Sequence, residues 1–191
     1  PDAFTGLAPM FSSSSAANGA NIITGDGVGT AHASIWLVVW SPETVHGIVP
    51  KGSTAGLQVT DKGQVTVEDA SNGSNTGRME AYRTHYRWDA GLVLKDWRYV
   101  VRIPNIDKSN LTKDASSGSN LPDLMYQALE QIPNLANGRP VFYMSRYVRS
   151  FVRRQLSNLV KTSTLEIEQV GGVMVQKFQG VPMRRCDALA A

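Results

Sequence analysis

The hydrophobic pattern of residues 138–156 changes once, from the pattern of a strand to that of a helix. Residues 141–144 are all apolar and follow a Gly-Arg-Pro turn signal, which is typical of a strand covered on both faces. Ser145 comes next as a candidate N-cap, so the pattern predicts an amphipathic helix directly after the strand. The predicted inward face of this helix consists of Val148, Phe151, Val152, Gln155 and Leu156.

The first half of the chain has the shorter patterns of strands and turns. Residues 35–40 form a continuous apolar run and predict a central strand, with residues 45–49 as its partner. Two further strands are predicted at 57–60 and 65–68, because the Asp-Lys-Gly sequence at 61–63 is a turn signal.

Two alternating segments, residues 82–88 and 97–103, predict a hairpin around an Asp-Ala-Gly turn at 89–91. The aromatic side chains of the first segment share one face, which is typical of a core-facing surface. The residues assigned to the core in this way are Tyr82, Tyr86 and Trp88. The nearby carboxylates Glu80, Asp89 and Asp96 could be paired acids, but salt bridges with neighbouring arginines are favoured for them.

The second half of the chain begins with a helix signal at Asn120, a candidate N-cap for a helix over residues 121–132. After the strand and helix around Ser145, residues 164–169 and 173–178 predict a hairpin about two glycines, and residues 181–185 a last strand. These elements predict an α+β fold with a β-rich first half that contains long hairpins and loops.

Composition narrows the class of protein. The chain has 191 residues, of which 42% are hydrophobic and 18% charged, as expected for one globular domain with room for an insertion. The net charge of +3 is far below the density of a dedicated nucleic-acid binder. Cys186 is the only cysteine, which excludes an internal disulfide. No apolar run reaches the roughly 18 residues of a membrane-spanning helix, so no membrane partner is expected.

Catalytic signatures are missing from the sequence. The glycines at 25, 27 and 29 lack the Gly-Lys-Ser/Thr ending of a phosphate loop, and no Gly-x-Ser-x-Gly motif surrounds a serine. The histidines at 32, 46 and 85 show no metal-ligand spacing. The sequence therefore predicts no enzyme, with no catalytic residue, cofactor or metal.

One helical face carries Arg146, Arg149 and Arg153. Such a row is most often a solvated face, and the alternatives are a subunit contact or an anion contact. A second function class also stays open: the strands with alternating aromatic and basic residues could form a module that binds nucleic acid or glycan. The residues that would form that module are Tyr82, Tyr86, Trp88, Arg98 and Arg102.

Several short phrases of the sequence together resemble a tailed-bacteriophage major capsid protein, of the podovirus-like branch of the Hong Kong phage-type capsid fold. The phrases are Phe-Thr-Gly-Leu-Ala-Pro at 4–9, Val-His-Gly-Ile-Val-Pro-Lys-Gly at 45–52, Tyr-Arg-Thr-His-Tyr-Arg-Trp at 82–88, Trp-Arg-Tyr-Val-Val-Arg-Ile at 97–103, and Phe-Gln-Gly-Val-Pro at 178–182. In that family the first phrase follows a long spine helix, so the resemblance implies that this chain corresponds to the portion after the arm and spine.

The resemblance implies three regions. Residues 1–33 are expected to form an extended N-terminal strap, and residues 34–106 a β-rich region with an extended arm or loop around 50–78. Residues 107–191 are similar to the α/β axial domain of that family. The polar tip at residues 69–77, with the strands before it, is predicted to be an arm that contacts an adjacent subunit.

The function implied by the resemblance is that of a viral structural protein, the major capsid subunit that self-assembles into an icosahedral phage head around double-stranded DNA. Its expected partners are further copies of itself in hexamers and pentamers, a scaffolding or decoration protein, and the packaged DNA, contacted non-specifically. The expected location is the virion, assembled in the cytoplasm of a bacterial host. For the arginine row, acidic groups of a neighbouring subunit are favoured over the phosphates of the genome. The subunit-interface candidates are Arg146, Arg149, Arg153, Lys51, Lys62, Asn72 and Asn75.

Overall fold

The predicted central strand is confirmed in a computed structural model as strand β1 (His32–Trp40). The structure describes residues 6–25, 27, 32–69, 77–159, 165–170 and 173–189. β6 (Val100–Asp107) pairs with β1 in antiparallel orientation on one side, and β7 (Arg139–Met144) does so on the other. β2 (Val45–Ile48) joins β1 in parallel orientation where Trp40 lies opposite Val45. Because β1 has neighbours on both edges and is covered on both faces, residues 35–39 are all buried.

The sheet continues beyond β7 with three strands from the end of the chain. β10 (Val181–Arg185) pairs in parallel orientation with β7, and β9 (Val173–Phe178) pairs with both β10 and β8 (Leu165–Val170) in antiparallel orientation. The predicted hairpin and last strand are therefore confirmed, although the two glycines between β8 and β9 lie outside the described residues. Gln179 and Gly180 both have positive φ, at 50° and 75°, as a tight two-residue turn between β9 and β10 requires.

Two helices pack against this sheet. α1 (Leu121–Glu130) begins at the predicted N-cap Asn120, whose side chain accepts a hydrogen bond from the Asp123 amide at 3.5 Å. It ends two residues before the predicted end, since the Ile132 amide already bonds to the carbonyl of Leu129. α2 (Arg146–Leu159) follows β7 directly, as predicted, and all five residues of its predicted inward face are buried.

The N-terminal segment is held against the core by polar contacts with β6 and the residues before it. Phe11 is fully buried and meets Trp36 edge to face at 5.9 Å. The Arg102 guanidinium lies 5.3 Å from the Trp36 ring and donates to the Phe11 carbonyl at 2.7 Å. Asn21 is 4% exposed, and its Nδ2 lies within 3.4 Å of three carbonyl oxygens between Trp97 and Val100. One amide side chain thus satisfies several backbone acceptors at once.

We expect the substitution Asn21→Ala to lower the free energy of unfolding by about 1–2 kcal/mol, because it leaves buried carbonyl oxygens without a donor. Urea denaturation followed by tryptophan fluorescence would measure the change. Asn18→Ala is the matched control, since Asn18 is only partly buried and donates to the Met10 carbonyl at 2.7 Å in a solvent-exposed hydrogen bond. Equal losses in the two variants would contradict the role assigned to Asn21.

Close backbone approach explains the glycines at 25 and 27. The Gly25 amide bonds to the Pro104 carbonyl and the Gly27 amide to the Asn105 carbonyl, each at 2.9 Å. A Cβ atom at Gly27 would lie 2.2 Å from the Asn105 oxygen, a distance that no side chain tolerates. These glycines therefore let the segment pack against the end of β6.

The segment Gly47–Val93 is a compact unit of its own, and the other unit comprises Pro1–His46 and Leu94–Ala191. It contains β3 (Gln58–Asp69) and β4 (Gly77–Arg87), which pair in antiparallel orientation, and most of β5 (Gly91–Leu94). The predicted turn at 61–63 is wrong: it is a bulge within one long strand, where the pairing register shifts between Asp61 and Gln64.

The predicted pairing of residues 82–88 with residues 97–103 is also wrong. Residues 82–87 lie in β4, whose partner is β3, whereas β6 pairs with β1. Trp97–Tyr99 forms a turn of 3-10 helix, and the strand begins only at Val100. The assignment of the aromatic residues to the core fails with the pairing. Tyr82, Tyr86 and Trp88 are 86%, 63% and 69% exposed.

The three regions predicted from the sequence, with boundaries at 33/34 and 106/107, stay a prediction. In the part of the chain that the structure covers, neither helix has the length and apolar character needed to cross a membrane.

Candidate functional site

An open cleft of about 770 Å³ runs along α2 and is lined mainly by basic side chains. Ser150, Ser157 and Asn158 also line it, and the described lining residues include no carboxylate. We call this surface the basic cleft. Its six basic residues are Lys113, Arg146, Arg149, Arg153, Arg154 and Arg185.

Helical spacing explains why α2 contributes four of these residues. Its apolar residues are buried against the sheet, so the arginines at intervals of three, four and one residues lie on the opposite side. Ser145 starts the helix where predicted: its Oγ accepts a bond from the Val148 amide at 3.4 Å. The prediction that Arg146, Arg149 and Arg153 share one face is therefore confirmed, and all three line the basic cleft.

Strand pairing brings Arg185 to the same place. β10 runs parallel to β7, with Arg185 opposite Met144, so the end of β10 lies beside the start of α2. The Cys186 amide continues this pairing with a 2.8 Å bond to the Met144 carbonyl. Residues about 40 positions apart in the sequence thus line one surface.

Asp187, just after β10, fastens this junction. Its carboxylate accepts a hydrogen bond from the Arg146 amide at 3.1 Å and another from Arg185 Nε at 2.6 Å. The bond from Arg185 and the bond from the Arg146 amide both lower the pKa of Asp187, so this carboxylate stays ionised. A negative charge at the first turn of α2 also interacts favourably with the helix dipole.

Arg149 lies deepest among the arginines of α2 and is partly buried. Its Nε donates to Oε1 of Gln176, a buried residue of β9, at 2.9 Å. Burial lowers the pKa of the Arg149 guanidinium, and the positive charges of Arg153 and Arg185 lower it further. The concentration of positive charge in the cleft therefore raises its electrostatic free energy, and a bound anion would lower that energy.

Three of the six basic residues of the cleft were not predicted from the sequence. Arg154 could have been indicated by its helical position, because it directly follows Arg153 in α2. Its guanidinium lies 4.6 Å from the Phe151 ring. Lys113 and Arg185 come from a loop and from β10, and no local pattern points to them.

The remaining interface candidates lie elsewhere. Lys51 is exposed in the turn before β3, and Lys62 is exposed at the bulge of that strand. Both belong to the unit Gly47–Val93 and line no part of the basic cleft. Asn72 and Asn75 lie outside the described residues.

A second surface of interest is the β3–β4 hairpin, which we call the hairpin surface. Val59 lies directly opposite Tyr86 on one face of the hairpin. Tyr82 lies on the same face, because it is four positions before Tyr86 in β4 and alternate residues of a strand share a face. On the other face Val67 lies opposite Met79. All five of these apolar residues are exposed. No described residue of Gly47–Val93 belongs to the buried hydrophobic core.

The residues of the alternative binding module do not form the predicted hairpin. Arg98 forms an ion pair with Asp96 at 2.8 Å, as predicted for that carboxylate, and Arg87 pairs with Asp89 at 2.9 Å. Arg102 holds the N-terminal segment and is partly buried. Within the described ranges, no three His, Cys, Asp or Glu side chains are grouped as a metal site.

Comparison with known proteins defines the class. The family model for "Major capsid protein GP7" matches residues 1–191. A chain in the structure of bacteriophage Epsilon15, derived from cryo-EM and modeling, is 34% identical and superposes with a TM-score of 0.60. The match covers 100% of this chain and 57% of that chain, so the present sequence spans little more than half of its structural relative. No curated protein matches the chain.

The fold is thus the α+β fold of a phage structural protein, as the sequence predicted. The chain belongs to the major capsid protein GP7 family. The resemblance to tailed-phage major capsid proteins is confirmed, and the chain is of the structural class of virion proteins.

Proposed function

We propose that this chain is a shell subunit that self-associates in many copies to form a phage head around double-stranded DNA. The observation that carries the proposal is the match of the capsid family model to residues 1–191. Hexamers and pentamers of the chain, a scaffolding or decoration protein, and the packaged DNA are its proposed partners. The chain would perform this function by forming contacts with other copies, without a catalytic step or a cofactor.

The hairpin surface supports a contact with a neighbouring copy. A two-stranded hairpin is marginally stable on its own, and this one exposes apolar side chains on both faces. Covering such residues stabilises a contact by about 25 cal/mol for each Å² of apolar surface removed from water. In a closed symmetric shell the same modest contact recurs in every subunit, so its total effect is large.

The test is to express the protein from its complete coding sequence and to examine it by electron microscopy and analytical ultracentrifugation. We expect closed particles of uniform diameter. A protein that stays monomeric at high concentration, with and without the other head proteins of its phage, would contradict the proposal.

The double substitution Tyr82→Ser and Tyr86→Ser is expected to reduce the yield of particles at least tenfold, because exposed aromatic residues are frequent energetic centres of interfaces. The melting temperature of the unassembled chain should change by less than about 2 °C, since both side chains are largely exposed. Met10→Ser is the control: Met10 is 56% exposed in the other unit. Normal particle yield from the double variant would exclude the hairpin surface as a contact.

A further inference from the structure

We infer that the basic cleft binds a compact phosphate anion, such as inorganic triphosphate or the triphosphate group of a nucleotide. The inference goes beyond the shell function and does not depend on it, because the cleft is formed by α2, β10 and the loop that contains Lys113, all within one unit.

The first step of the argument is the charge of the cleft. Six basic side chains line it, and no carboxylate is among the lining residues that the structure describes. Among the described residues, Arg185 is the only one of the six in an ion pair, with Asp187. Arg149 is partly buried and is repelled by the positive charges of Arg153 and Arg185. Gln176 accepts a hydrogen bond from the Nε of Arg149 only. Such a surface binds a ligand with several negative charges better than a single carboxylate.

The second step concerns the acidic groups of this chain. Asp89, Asp96 and Asp187 already pair with arginines, and Asp107 and Asp114 accept hydrogen bonds from nearby serines. These five carboxylates already have partners within the chain, which favours a phosphate ligand over any of them as the occupant of the cleft.

The third step concerns shape and hydrogen bonding. A volume of about 770 Å³ lies in the range of pockets that hold small molecules, about 300–1,000 Å³. A compact anion can enter and reach Arg149, whereas phosphates on the convex surface of a DNA duplex would meet the exposed Arg146 and Arg153. Guanidinium groups match phosphate oxygens with paired N–H donors. Ser150, Ser157 and Asn158 supply neutral donors in the same cleft.

The test measures binding of inorganic triphosphate to the wild-type chain by isothermal titration calorimetry and by thermal shift, at low and at physiological salt. The cleft variant is Arg146→Gln with Arg153→Gln, two exposed positions whose replacement leaves the core intact. The matched control is Arg139→Gln with Arg184→Gln, which removes the same charge from exposed residues outside the cleft. Parallel titrations use ATP, a 20-base-pair DNA duplex and hexaglutamate.

We expect triphosphate to raise the melting temperature of the wild type and of the control by several degrees. The cleft variant should bind at least tenfold more weakly, since each lost guanidinium removes charge-assisted hydrogen bonds. Without ligand its melting temperature should equal or exceed that of the wild type, because repulsion on Arg149 is reduced.

The ATP titration identifies the source of the phosphate: tighter binding of ATP than of triphosphate would indicate a nucleotide, and equal or weaker binding an inorganic anion. Equal loss in the cleft and control variants would overturn the proposal, as would no binding of triphosphate. Tighter binding of hexaglutamate or of the DNA duplex through Arg146 and Arg153 would overturn it in favour of a protein or nucleic-acid contact.

Discussion

The variant Phe142→Ala is expected to lose about 3–5 kcal/mol of its free energy of unfolding, the largest effect of any single substitution proposed here. Phe142 is fully buried in β7 and lies opposite Leu37 of β1 on one side and Met183 of β10 on the other. Its ring meets that of Phe178 edge to face at 6.0 Å. Truncation therefore leaves a cavity where strands from distant parts of the sequence meet.

Natural domains are stable by only about 5–15 kcal/mol, so this variant should lie close to the limit of folding. Urea denaturation at 10 °C and at 25 °C would measure the loss, with Phe142→Leu as the control that keeps most of the volume and should lose less than half as much. A loss below about 1 kcal/mol for Phe142→Ala would contradict the central position of this residue.

Local patterns predicted the elements around Phe142 well, because each is determined by its own residues. The apolar run of β7, the cap at Ser145 and the helical spacing of α2 lie within twenty consecutive positions. The arginine row followed from the same spacing, since burial of one helical face places the opposite face toward solvent.

Strand pairing could not be predicted in the same way. Alternation in residues 82–88 shows which side chains share a face, and it does not show which strand lies alongside or whether either face is covered. The bulge at Lys62 and Gly63 concealed the true partner, because it divides β3 into two patterns that each look like a short strand. Because β4 pairs with β3 and not with residues 97–103, its aromatic face is exposed and does not form a core.

The composition of the basic cleft was only partly accessible from sequence for a related reason. Arg185 and Asp187 reach α2 through the parallel pairing of β10 with β7, a contact between residues about 40 positions apart. Such pairing depends on the whole sheet, and no spacing within β10 indicates it. The charge relations that make Arg149 a candidate for anion binding therefore emerge only from the fold.

Gln155 illustrates a residue whose position could be predicted and whose role could not. The helical pattern placed it on the inward face, and it is fully buried. There its Oε1 accepts a bond from the Leu121 amide at 2.9 Å, which satisfies a free donor at the start of α1. Its Nε2 donates to the carbonyls of Thr112 at 2.9 Å and Ser119 at 3.2 Å. One side chain thus joins α2, α1 and the loop before α1.

We expect Gln155→Leu to lower the free energy of unfolding by about 2–4 kcal/mol, because the hydrogen bonds of Gln155 to one buried amide and two carbonyl oxygens are lost at once. Gln127→Leu is the matched control and should change the value by less than about 0.5 kcal/mol, since Gln127 bonds to Asp123 on an exposed face. Similar losses in the two variants, measured by urea denaturation, would show that Gln155 does not bridge these segments.

The isosteric variant Gln155→Glu separates hydrogen bonding from volume. An ionised carboxylate there can still accept a hydrogen bond from the Leu121 amide, but it is repelled by the carbonyl oxygens of Thr112 and Ser119. Burial and this repulsion should together raise the pKa of the introduced carboxyl above the ordinary value of about 4.3. A raised pKa for an acid means that the loss of stability is complete above the folded pKa and disappears as pH falls below the unfolded value. The stability difference from the wild type, measured from pH 7 to pH 4, should therefore shrink with falling pH, and a difference independent of pH would contradict the contacts assigned to Nε2.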